Sequence, residues 1–123
     1  MVQVPILRQG DAMIVSIQES LTDSDMLDLQ HRILQELVRN RANGVIIDVS
    51  ALDVLDSFAT RTLCDIAATV HMRGARTVVV GIQPEVALSM VLLGLTLNPV
   101  DTALDLDAGL TVLRKPSEPT NAR

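Results

Sequence analysis

Asp48 to Leu63 reads DVSALDVLDSFATRTL: a carboxylate closing an apolar run, a short loop, then a serine where a helical pattern begins. Upstream, Val45-Ile46-Ile47-Asp48-Val49 shows no alternation of polar and apolar residues, the pattern of a strand covered on both faces or central in a parallel sheet. Downstream, Ala59, Leu63, Ile66, Ala67 and Val70 recur at helical spacing, and Arg73-Gly74 closes that pattern. A second unalternated run, Thr77-Val78-Val79-Val80-Gly81-Ile82, follows directly. Strand, crossover helix and neighbouring strand make one βαβ unit, so the fold class is α/β.

The rest of the chain extends that unit on both sides. Pro5 to Gln9 and Ala12 to Ile17 are β-prone runs separated by Gly10-Asp11, which predicts an antiparallel hairpin. Thr22 is a candidate N-cap with Asp25 three residues on, and Asp23, Asp25 and Asp28 suit the positive end of a helix dipole. Met26, Leu29, Ile33 and Leu37 then recur at helical spacing, with Leu34 and Val38 widening the stripe and Arg39, Arg41 and Asn43-Gly44 marking its end. Beyond the βαβ unit, Pro84 and Glu85 suit a first turn, Val86 to Leu93 an unusually apolar helix body, and Gly94 its stop. A last strand is expected within Val100 to Leu104, and a small helix capped by Asp105 or Asp107 is expected to run through Leu113, although Gly109 disfavours it. The predicted order is β-β-α-β-α-β-α-β-α, a mixed central sheet with helices packed on it. This single domain spans residues 1–115; residues 116–123, with Pro116, Pro119 and no core-forming side chains, are expected to be a flexible tail.

Composition narrows the function classes. A chain of 123 residues supports one core, and 48% hydrophobic content with 1% aromatic makes that core aliphatic. Phe58 is the only aromatic residue and the net charge is −5, so neither stacking platforms nor a basic footprint is available for nucleic acid. Cys64 is the only cysteine, and MVQVPILRQG lacks the basic start and unbroken apolar core of a signal peptide, which together fit a reducing cytoplasm. Mean hydropathy is high at +0.34, yet the apolar run Met90 to Leu97 ends at Asn98-Pro99. That run falls short of the roughly 18 residues of a membrane span. The excess reads as surface buried against other subunits, the alternative being a monomer with a greasy core.

No catalytic constellation is evident. The glycines are scattered singly at element ends rather than gathered in a phosphate loop, and His31 and His71 have no acid or cysteine at ligand spacing. Cys64 lies beyond the edge of the apolar stripe with no histidine nearby in sequence. Asp48, Asp53 and Asp56 gather where open α/β sheets place their functional crevice. A metal-assisted phospho-acceptor site would need such a cluster, but strand-end aspartates also cap loop amides. Ser57 has two roles open to it. Either it or Asp56 serves as the helix N-cap. It also lies with Arg61 on the line of the helix pointing away from the core stripe, accessible to another protein. Phosphate there would be tolerated by the helix dipole and within reach of Arg61, while the acidity of Asp53 and Asp56 would turn it against a docked partner.

Asp48-Val49-Ser50 followed by Asp56-Ser57 at a helix start resembles the D-x-S…D-S signature of STAS domains, the anti-sigma factor antagonists and their relatives. The element order is similar to that family from roughly Pro5 to Leu113, and Gly81-Ile82-Gln83-Pro84-Glu85-Val86-Ala87 with Leu92-Leu93-Gly94-Leu95 looks most like its stressosome branch, in the short scaffold form. The resemblance implies a non-enzymatic scaffold without a cofactor, whose Ser57 is phosphorylated by a cognate serine kinase of the switch type. It implies co-assembly with larger sensor paralogues carrying the same domain, and a kinase held until phosphorylation releases it to act on sigma-factor signalling. Asp48, Ser50, Asp53, Asp56, Phe58 and Arg61 would form the switch region and partner surface around Ser57. Many family members carry glycine two residues after the switch serine, where this chain has Ala59; Phe58 before it is either core filler or a partner contact. Two other readings remain open: a simple anti-sigma factor antagonist pairing one to one with its kinase, and a nucleotide-binding, small-molecule-binding or phosphohydrolase domain using the Asp48 and Asp56 corner.

Overall fold

Strand β1 (Ile6–Gln9) folds back on β2 (Ala12–Ser16) in antiparallel register, with Ile6 opposite Val15 and Gln9 opposite Ala12. This is the hairpin that Gly10-Asp11 predicts. The structure is a computed structural model and describes residues 4–98 and 100–115. Helix α1 (Asp23–Asn40) starts at a reciprocal capping box, in which Asp25 N–H donates to Thr22 Oγ1 at 3.0 Å and Thr22 N–H to Asp25 Oδ2 at 3.2 Å. Its buried line is Met26, Leu29, Ile33 and Leu37, whereas Leu34 is half-buried and Val38 exposed, so the stripe is narrower than the sequence suggests. The helix ends on Arg41, which takes the left-handed conformation usually left to glycine.

The chain continues through β3 (Gly44–Asp48), α2 (Ser57–Met72), β4 (Arg76–Val80), α3 (Pro84–Leu92), β5 (Asp101–Ala103) and α4 (Leu106–Arg114). This is the predicted order. The sheet runs β1-β2-β3-β4-β5, and every neighbouring pair except β1-β2 is parallel. The two unalternated runs are therefore adjacent inner strands. Val45, Ile47 and Val79 face a core shared with Leu29 and Ile33 of α1 and Leu63, Ile66 and Val70 of α2. Ile46, Val78 and Val80 face the other side, with Ala12, Ile14 and Leu110 of α4. Burial on both faces is what removes the alternation from the sequence.

The fourth helix forms despite Gly109. Asp105, not Asp107, is its cap, with Oδ1 accepting from Ala108 N–H at 2.9 Å. Gly109 lies against the sheet, where an added Cβ would stand 2.7 Å from Val80 Cγ1. The missing side chain lets the helix approach. Helix α3 is the weakly seated element, with only Val86 and Met90 buried. Among the described residues no helix is long and apolar enough to cross a membrane. The expected tail, 116–123, lies outside the described residues.

Candidate functional site

The corner begins where β3 ends. Ile17 N–H donates to Asp48 O and Val49 N–H to Val80 O, both at 3.0 Å, which carries the sheet ladder to its last rung. Asp48 is half-buried, and its Oδ1 accepts from Ser50 N–H at 2.9 Å, turning the chain out of the strand. Leu52 and Leu55 are buried and pin the following loop to the main core, so that Ser50, Asp53 and Val54 project outwards. Alternating anchors hold this loop without regular structure.

Of the two candidate caps, Asp56 is the one used. Its backbone is extended and its Oδ1 accepts from Ala59 N–H at 2.8 Å. Ser57 is consequently the first helical residue, with an exposed side chain that has no capping duty. Arg61 is exposed one turn later, and among the described residues the salt bridges are Arg39–Glu36 and Arg76–Asp101, neither involving it. Phe58 is half-buried and packs against the main core.

The structure brings Asp48, Ser50, Asp53, Asp56, Ser57, Phe58 and Arg61 together on one loop and helix start, and adds two residues that the sequence did not assign to this corner. Gln83 Nε2 donates to Ser50 O at 2.8 Å, tying the loop to the start of α3. Gly81, at φ 81°, passes so close that an added Cβ would stand 2.8 Å from Ser50 Cβ and 3.2 Å from Asp48 Oδ1. The only local signal was a glycine breaking an apolar strand, which marks a close backbone approach without naming the partner. Thr60 and Thr62 are also buried, outside the expected apolar stripe. Thr62 Oγ1 donates back to Phe58 O at 2.9 Å, whereas Thr60 Oγ1 has no partner among the described residues.

Other reactive side chains lie apart from this corner. His31 and His71 are exposed on α1 and α2. Cys64 sits against the carbonyls of Thr96 and Leu97, and burial, then the charge of Asp65, pushes its thiol above the ordinary 9.0, away from the reactive thiolate. The corner thus offers an accessible primary hydroxyl on a rigid helix start, with an acidic approach and a guanidinium one turn away. No base is hydrogen-bonded to that hydroxyl among the described residues, where Asp56 Oδ1 is turned to the Ala59 amide.

A family model described as STAS domain matches residues 3–107. The RsbT co-antagonist protein RsbRA of Bacillus subtilis (strain 168) is 29% identical over 82 residues, 67% of this chain and 30% of that protein, so the chain spans less than a third of that relative. A solved structure of RsbS from Moorella thermoacetica, a serine-to-glutamate variant, is 36% identical with a TM-score of 0.78, covering 92% of this chain and 96% of that one. A chain from the molecular architecture of the stressosome, a signal integration and transduction hub, is 33% identical with a TM-score of 0.73, covering 89% of this chain and 96% of that one.

Proposed function

This chain belongs to the STAS domain family, and from that premise we propose that it is a non-enzymatic scaffold and phosphorylation switch of a bacterial stress-signalling complex, the stressosome. The observation that carries the reading is the division of labour at the start of α2: Asp56 caps the helix, leaving the Ser57 hydroxyl exposed. A serine engaged as cap would have its oxygen turned onto the first-turn amides and be less open to an incoming kinase. Here the helix end keeps its cap while the hydroxyl is offered to a kinase.

Phosphate on Ser57 adds a charge of roughly −1.5 to −2 at neutral pH. At the first helical position the dipole favours that charge, and Arg61 is placed to share it, so the domain stays folded. The partner is affected instead. Asp53 and Asp56 already make the corner acidic, and a phosphate beside them repels an acidic group docked there or is costly to desolvate in an interface. Ser57, with Asp48, Ser50, Asp53, Asp56, Phe58 and Arg61 around it, thereby acts as a release switch for a serine kinase of the RsbT type, which then acts on sigma-factor signalling. The chain works in the cytoplasm, assembles with a sensor paralogue of the RsbR type and with itself as dimer or larger, and needs no cofactor. Similarity to RsbS and to a stressosome chain supports the assembly over a one-to-one pairing of antagonist and kinase.

Incubation with the cognate kinase and ATP, read by intact mass and peptide mapping, is expected to place one phosphate on Ser57 and none on a Ser57→Ala chain. Phosphate persisting in that variant would move the switch elsewhere. Light scattering of the mixture with the paralogue is expected to give a large particle, and a stable small heterodimer would favour the simple antagonist.

A further inference from the structure

Gln83 breaks a local rule. It occupies the N-cap position of α3, with extended backbone at φ −64° and ψ 147°, yet its side chain makes no bond to the amides of that helix. N-caps are ordinarily Ser, Thr, Asp or Asn, whose short side chains put an oxygen within reach of the first turn. The half-buried glutamine instead sends Nε2 to Ser50 O at 2.8 Å, 33 positions back along the chain. Pro84 follows at the first helical position, and a residue before proline is restricted to extended backbone, so the base of this arm is fixed by its own sequence. The start of α3 goes without a side-chain cap while a distant carbonyl is held. Departures of this kind from local preference are expected where function sets the terms.

What Gln83 holds is the beginning of the switch loop. Ser50 N–H donates to Asp48 Oδ1 at 2.9 Å and Ser50 O accepts from Gln83, so both backbone groups of this residue are bound, one by the end of β3 and one by the start of α3. Further on, buried Leu52 and Leu55 fix the inner side of the loop, and Asp53 and Val54, the latter 63% exposed, form its outer edge ahead of Ser57. Ser57 itself is placed by α2 and its Asp56 cap, without help from Gln83. The corner therefore has two separately held parts: a hydroxyl on a capped helix, and an edge beside it on a loop clamped at Ser50. We propose that Gln83 is a positioning residue for the modification of Ser57. By fixing the Ser50 carbonyl it keeps the Asp53 and Val54 edge in the conformation that the kinase docks against, and the placement of the hydroxyl is left to α2. This role rests on the reading of Ser57 as the kinase's target, and adds to it a residue outside the switch that governs how well the kinase engages.

Steady-state phosphorylation by the cognate kinase and ATP, with this chain as the varied substrate, separates the two parts. Weaker docking raises KM, and a hydroxyl that is still well placed leaves kcat unchanged. Gln83→Met keeps the length of the side chain and removes the donor; its KM is expected to rise about three- to tenfold, the range open to one ordinary hydrogen bond, at wild-type kcat. Gln83→Ser distinguishes positioning from mere stability. It gives α3 the short capping oxygen it lacks and cannot reach Ser50, so its unfolding midpoint is expected at or above that of the wild type while its KM rises as in Gln83→Met. Wild-type KM in both variants, a fall in kcat in place of a rise in KM, or a Gln83→Ser chain that loses docking only together with a lowered midpoint would each overturn the role of Gln83 and leave Ser57 as the target. A wild type that takes no phosphate on Ser57 would overturn both, so the two failures give different results.

Discussion

At Asp56 and Ser57 adjacent residues divide the start of α2, and the cap that the sequence allowed to either falls to Asp56. The carboxylate accepts the Ala59 amide at 2.8 Å, and the hydroxyl is exposed. Removing the cap should therefore cost stability where removing the switch does not. Asp56→Ala is expected to lose about 1 kcal/mol, the usual value of an N-cap, and to lower the unfolding midpoint by a few degrees. Ser57→Ala is expected to unfold within about 0.5 kcal/mol of the wild type, as exposed positions free of special contacts do. Thermal unfolding of both by circular dichroism checks the pair; equal losses would mean that Ser57 shares the cap and is not free for modification. The position of the pair was legible, because a helical pattern starting after D-S limits the cap to two residues. Which one caps was not, since both have an oxygen that reaches the first-turn amides.

Among the elements, the loop from β3 to α2 gets its shape from α3 as much as from itself. Gln83 holds Ser50 O from 33 positions along the chain, and Gly81 leaves the space into which Ser50 and Asp48 fit. Helix and strand periods were readable from local spacing, and β3, β4 and α2 appear where the pattern put them. A contact between two loops leaves no period, which is why Gly81 and Gln83, already part of the resemblance, gained their place at this corner only from the fold. Buried Thr60 and Thr62 escaped for a related reason: threonine counts as polar in a helical pattern, although its methyl group packs like an aliphatic and its hydroxyl can return to the helix backbone, as in the Thr62 bond to Phe58 O. Gly81→Ala should disturb the switch loop from outside it. An alanine at φ 81° pays the left-handed penalty and drives its Cβ against Ser50 Cβ, together about 1–3 kcal/mol. Hydrogen exchange is expected to show faster exchange of the Ser50 and Leu52 amides than in the wild type, with the α1 amides least changed; unchanged loop amides would detach the loop from β4.

On the scale of the molecule the sheet is covered unequally. Helices α1 and α2 bring long aliphatic lines to one face, and the other relies on α4, whose buried contribution is Gly109 and Leu110. Counting apolar residues could not foresee how so little side chain seals a face, because the seal comes from distance: without a Cβ at 109, the helix backbone lies almost on Val80. Two opposing magnitudes make this testable. In an isolated helix Gly→Ala gains about 1 kcal/mol, whereas forcing a methyl into a packed interface loses about 1–3 kcal/mol. Val80 Cγ1, at 2.7 Å from the would-be Cβ, belongs to a β-branched side chain on an inner strand with little freedom to rotate away. The clash should therefore win, and Gly109→Ala is expected to be destabilising by about 1 kcal/mol in denaturant unfolding. In a Val80→Ala background the obstructing methyl is gone and the propensity term is left alone, so the same change is expected to stabilise. A reversal of sign between backgrounds is a coupling that only direct contact produces. Equal effects in both would mean that α4 rides clear of the sheet at Gly109, and that its face is sealed by Leu110 with the half-buried Leu106, Val112 and Leu113.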